Sequence, residues 1–105
     1  MVPNIFWSGF TNRDRTTAIA DIEMIINQSG FIIDFKPFSD ISISLVIEVQ
    51  ESHIDQLYDA LAGYLHMEDF DRLHSVSSQE RTIYLNVTFA NAMGKLRNEI
   101  PAVPG

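Results

Sequence analysis

The chain has no cysteine among its 105 residues, which excludes a disulfide framework, a thiolate nucleophile and any thiolate-held zinc or iron–sulfur site. That absence fits a reducing compartment, and the expected location is the cytoplasm. Positive charge is scarce: seven Lys and Arg face fourteen Asp and Glu, leaving a net charge of -7. This is the wrong sign for a phosphate backbone or an anionic membrane surface, so neither nucleic acid nor membrane is an expected partner. No run approaches the ~20 apolar residues of a membrane-spanning helix, and the opening Met-Val-Pro-Asn-Ile-Phe-Trp is no basic leader with a long apolar stretch behind it. Also missing are a Gly-x-Ser-x-Gly elbow, a phosphate-cradling glycine loop and any recognisable zinc motif. No internal repeat is visible at solenoid periods. No cofactor and no catalytic residue is expected.

What remains is an ordinary globular mixture, 46% hydrophobic and 20% charged, far from the composition of disordered chains. The length suits one domain spanning 1–105. A domain of this size leaves much of its surface unburied, so extra apolar area on a sheet face favours a second subunit, and a homodimer is expected.

Residues 4 to 10, Asn-Ile-Phe-Trp-Ser-Gly-Phe, read as a first strand. Ala18, Ile19, Ile22, Ile25 and Ile26 then recur at helical spacing, predicting a helix over about 13 to 28, with Thr11 or Asn12 as N-cap, Asp14 in its first turn and Gly30 as its stop. Residues 31 to 36 read as a strand halted by Pro37. Ile41, Ile43, Leu45, Ile47 and Val49 alternate with more polar residues, the period of a half-buried strand. The connection 37 to 40 makes the two a hairpin. Ser52 is the expected N-cap of a second helix, with Ile54, Leu57, Tyr58, Leu61 and Leu65 on one face and its end near Tyr64. Residues 72 to 76 carry a weak strand signal; Ile83, Leu85, Val87 and Phe89 carry a strong one. Gly94, Pro101, Pro104 and Gly105 leave room for only a brief helix after Asn91 and predict a mobile tail from about 101.

The order β-α-β-β-α-β, with one extra strand before the last, predicts an α+β, ferredoxin-like sandwich: an antiparallel sheet with two helices on one face. The other face then carries Ser42, Ser44, Val46, Glu48, Tyr84 and Asn86, a wettable surface or a partly polar interface.

From Gly9 to Leu65 the chain resembles ACT domains. The features are a strand ending in Gly9, Asp14-Arg15 ahead of the helix, Gly30 before the second strand, and the 43-to-49 strand entering the second helix. The resemblance covers about half the chain. It implies a βαββαβ regulatory module that pairs through sheet edges or helices and binds amino acids or related effectors near the first loop. The chain departs from the family at Asn12-Arg13-Asp14-Arg15-Thr16, where Thr16 adds a side chain in place of the glycine of amino-acid-binding members.

The same loop is the best candidate site on its own chemistry. Ser8, Gly9, Thr11, Asn12, Arg13 and Arg15 bring backbone amides, hydroxyls and two guanidinium groups to a helix start, an arrangement that can hold a carboxylate or phosphate. The alternative is that Thr11 or Asn12 only caps the helix while Arg13 and Arg15 are solvated or pair with Asp14. Gly30 can allow close approach of a ligand or subunit, or merely end the helix. His53, His66 and His74 offer imidazoles beside Glu68, Asp69 and Asp71, but His53 and His66 lie about 20 Å apart along one helix at 1.5 Å per residue and cannot share an ion; His66 with Glu68 or His74 is a generic combination, and since no spacing matches a ligand motif no metal site is expected. Asp34 should face away from Phe31, Ile33 and Phe35, as a solvated carboxylate.

Three functions compete. The first is a regulatory module sensing a small anionic or zwitterionic ligand through residues 8 to 16. The second is a structural homo-oligomerisation domain without ligand. The third is a small enzyme on a dimeric α+β barrel, with His74, Tyr84 or Trp7 touching substrate in a hollow between sheet and helices.

Overall fold

The computed structural model describes residues 4 to 90, so the expected tail lies outside the described residues. The elements run β1 (Ile5–Thr11), α1 (Arg15–Asn27), β2 (Gly30–Ser39), β3 (Ser42–Gln50), a single 3-10 turn (Glu51–His53), α2 (Ile54–Ala62), β4 (His66–Met67) and β5 (Glu80–Phe89). The five strands form one sheet in the order β2-β3-β5-β1-β4.

The class is α+β as expected, but the sheet is mixed rather than antiparallel. β5 lies between β3 and β1, antiparallel to the first and parallel to the second. The last strand is therefore the central one, and the extra strand is β4, a two-residue edge paired with Gly9 and Phe10. Residues 72 to 76 form no strand.

Alternation decides which side each strand buries. Ile43, Leu45, Ile47 and Val49 of β3 and Ile83, Leu85, Val87 and Phe89 of β5 point to the helices and are buried. There they meet Ala18, Ile22 and Ile26 of α1 and Ile54, Leu57 and Leu61 of α2, the helical stripes read from the spacing. Among the described residues no helix covers the other face: Ser42, Ser44, Val46 and Glu48 lie beside Thr88, Asn86, Tyr84 and Thr82 in register.

β2 departs from its expected form twice. It does not stop at Pro37, because it is an edge strand, where a missing N–H costs no ladder bond if it faces outward. Its parity also slips. The register jumps between Ile32 and Asp34 and again between Pro37 and Ser39, and each extra residue flips the side chains that follow. Phe31 therefore sits opposite Glu48 on the open face, together with Asp34 opposite Val46, while Phe35 sits opposite Leu45 on the helix side. Gly30 opens this strand rather than stopping the helix. A Cβ there would lie 2.5 Å from the Glu48 carbonyl oxygen, so only glycine lets β3 approach.

The caps differ from expectation as well. Asp14, not Thr11 or Asn12, is the N-cap of α1: its Oδ2 accepts from the Thr17 N–H at 3.1 Å and from the Thr17 hydroxyl at 3.3 Å. Ser52 does not cap α2 but donates its backbone N–H to the Ser77 carbonyl at 3.0 Å.

Between β4 and β5 an irregular strap, residues 68 to 79, crosses α2. Its Leu73 and His74 N–H groups donate to the two Asp55 carboxylate oxygens at 2.9 Å, Arg72 pairs with Asp59, and Phe70 packs against Trp7 and Tyr58. His74 holds φ at 50°, the left-handed region that histidine tolerates better than most side chains. Where the strap enters β5, Glu51 accepts from the Ser75 hydroxyl at 2.6 Å and from Arg81 at 2.7 Å. These contacts, the Ser75 bond foremost, hold the Glu51 carboxyl below its ordinary 4.5. A lowered folded value means that the contribution is present above pH 4.5 and is lost as pH falls through the folded value. The melting-temperature gap between the native chain and Glu51→Gln should therefore be widest near neutrality and close in acid. A gap unchanged down to pH 3 would rule out this ionised clasp.

Candidate functional site

The expected site residues do not converge on one point, because β1 separates them. Ser8 lies on the open face beside Asn86, whereas Gly9 lies on the helix side, where a Cβ would stand 2.8 Å from Met67 Sδ. Thr11 is buried at the end of β1, and its Oγ1 accepts from the Arg13 N–H at 3.1 Å. Beyond it the two arginines part. Arg13 places its guanidinium 4.2 Å from the centroid of Tyr64, toward β4. Arg15 lies 5.7 Å from that of Phe89, toward β5, and its Nε is buried without a hydrogen-bond partner.

Two adjoining depressions result. One, about 290 Å³, is lined by Thr11, Asn12, Arg13, Tyr64 and His66. The other, about 360 Å³, has Ser8, Gly9, Phe10 and Thr88 on one side and His66, Met67 and Glu68 on the other. His66 belongs to both and stacks on Phe10 with centroids 4.6 Å apart. The first is polar and cationic; the second has a largely apolar floor.

Ionic bookkeeping singles out Arg13 and Arg15. Among the described residues Lys36, Arg72 and Arg81 each reach a carboxylate, namely Asp34, Asp59 and Glu51. Arg13 and Arg15 instead lie over rings, in a chain with twice as many acids as bases. Neither arginine pairs with Asp14, the alternative weighed for them, and Asp14 is engaged by Thr17. That cap also places a carboxylate where the helix dipole would otherwise attract an anion.

Tyr64 is fixed from behind. Its hydroxyl donates to Asp21 Oδ2 at 2.5 Å. Burial first, and that bond second, raise its phenol above the ordinary 10.0, so it stays neutral at physiological pH. The residue that the sequence does not point to is thus Tyr64, while His66 stands out there only as a metal candidate. Only the two-residue β4 brings Tyr64 and His66 to the first loop, and so short a strand has no readable period.

The three residues named for the enzyme reading lie apart within one chain. Trp7 is buried on the helix side, Tyr84 lies on the open face, and His74 sits on the strap. Among the described residues no three metal-capable side chains cluster, and no helix is long and apolar enough to cross a membrane. No family model matches this chain, and neither does any curated protein or solved structure.

Proposed function

We propose that the domain is a regulatory binding module that takes a small anionic or zwitterionic metabolite at the corner of β1, α1 and β4, with Arg13 as its principal contact. The observation that supports this reading is Arg13 itself: a guanidinium without a carboxylate partner among the described residues, laid over an anchored tyrosine, at a depression that Asn12 and His66 also line. A charge-assisted hydrogen bond there is worth about 1.5–3 kcal/mol. Thr11 closes the floor with its hydroxyl already engaged by the Arg13 N–H. The ACT-like resemblance implies the same region.

A thermal-shift screen of amino acids, organic acids and nucleotides tests the reading. A ligand at 100 times its Kd should stabilise the chain by about 2.7 kcal/mol. Arg13→Gln should abolish that shift with the unliganded melting temperature nearly unchanged, whereas Arg15→Gln, turned toward Phe89, should retain most of it. A shift that survives Arg13→Gln, or no shift with any compound, would remove the support.

A further inference from the structure

The sheet face away from the helices holds large side chains that nothing in the chain covers among the described residues. Phe6 is 74% exposed and stacks on Tyr84 with centroids 5.2 Å apart and planes at 16°. Phe31 is 66% exposed on the same face, and Phe10 is 45% exposed beside His66. Exposed aromatics spread over one face of a regular sheet mark an association surface more often than a solvent boundary.

From this we infer that the open face of β2, β3, β5 and β1 binds a second copy of the same chain, sheet against sheet. The first argument is area. Four strands about 4.8 Å apart and about ten residues long at 3.3 Å per residue offer roughly 600 Å² per copy, or about 1,200 Å² in all, the lower limit of a stable, reversible interface.

Charge is the second argument. The net charge of -7 is not concentrated on this face. Its central cross-strand rows are Val46–Tyr84–Phe6 and Ser44–Asn86–Ser8, all uncharged. Asp34, Lys36, Glu48 and Glu80 sit on the outer strand or near the strand ends, and Lys36 pairs with Asp34 at 3.8 Å. A second copy therefore meets aromatic, hydroxyl and amide groups with no opposing like charge at the centre, whereas a strongly charged partner finds nothing to pair with in those central rows.

The alternative route, edge to edge, is blunted. The outer edge of β2 carries two register shifts and Pro37, and β4 is only two residues long, the features that keep sheet edges from pairing. Face-to-face packing at about 10 Å keeps both helix layers outside.

Light scattering across a concentration series tests this on the full chain. The expected mass is twice that of one chain at high micromolar concentration, falling to one chain on dilution. Phe6→Ser, at an exposed position, should weaken the association by roughly 30-fold with an unchanged circular dichroism spectrum. Met24→Ser, an exposed change on α1, should leave it intact. A single-chain mass at ~1 mM would overturn the inference, whether or not residues 91 to 105 cover the face. So would a dimer that Phe6→Ser leaves intact, or one that Met24→Ser dissociates.

Discussion

Leu45→Ala should lower the unfolding free energy by about 2–5 kcal/mol, the range for truncating a fully buried leucine. Leu45 is 0% exposed and stands between Phe35 on β2 and Leu85 on β5, so the void opens inside the sheet–helix layer with packed neighbours on both sides. Against a total of about 5–15 kcal/mol for a small domain, this is a large fraction. Urea denaturation measures it. The adjacent Val46 points to the open face, and Val46→Ala should cost well under half as much. Equal costs, or an unchanged midpoint for Leu45→Ala, would mean that the faces of β3 are reversed.

Trp7→Ala should cost about 3–5 kcal/mol, as large as any core truncation in this fold. The indole is buried and meets Tyr58 and Phe70 edge-on, with centroids 5.4 and 5.2 Å away. Removing it withdraws the surface on which the strap rests, so the strap's bonds to Asp55 lose their apolar backing. Trp7→Phe should cost far less. The indole Nε1 is buried without a hydrogen-bond partner, and deleting an unsatisfied donor recovers part of the desolvation penalty that it carries in the fold. Chemical denaturation of the two variants checks this; a Trp7→Phe cost equal to that of Trp7→Ala would show the N–H to be satisfied.

Much of this architecture is legible in the sequence, because periodicity reports burial directly. Ala18, Ile22 and Ile26 at helical spacing, and Ile43 to Val49 and Ile83 to Phe89 at strand spacing, all face the core as their pattern requires. Periodicity says which side a strand buries but not which strand lies beside it. The alternation of β5 would look the same at an edge as at the centre, so its place between β3 and β1 was not readable. Nor were the shifts in β2, where one extra residue puts Phe31 and Phe35 on opposite faces without changing the composition. Phe6 and Phe10 follow the same rule. Once Trp7 is buried they must point the other way, yet an aromatic run by itself reads as core.

The candidate site was legible in part for a related reason. Thr11, Asn12 and Arg13 are near neighbours in sequence and in space, and they line one depression. Tyr64 and His66 reach it from more than fifty residues away. Arg15 stands only two residues from Arg13 along the chain, but the start of α1 turns their side chains to opposite flanks of β1.

The most direct test of the binding account is a backbone amide chemical-shift titration with the compound that gives the largest thermal shift. The account predicts saturable changes centred on Thr11, Asn12 and Arg13 and on Tyr64, Leu65 and His66, absent in Arg13→Gln. Changes confined to the open face around Phe6 and Tyr84, or none at saturating ligand, would contradict it.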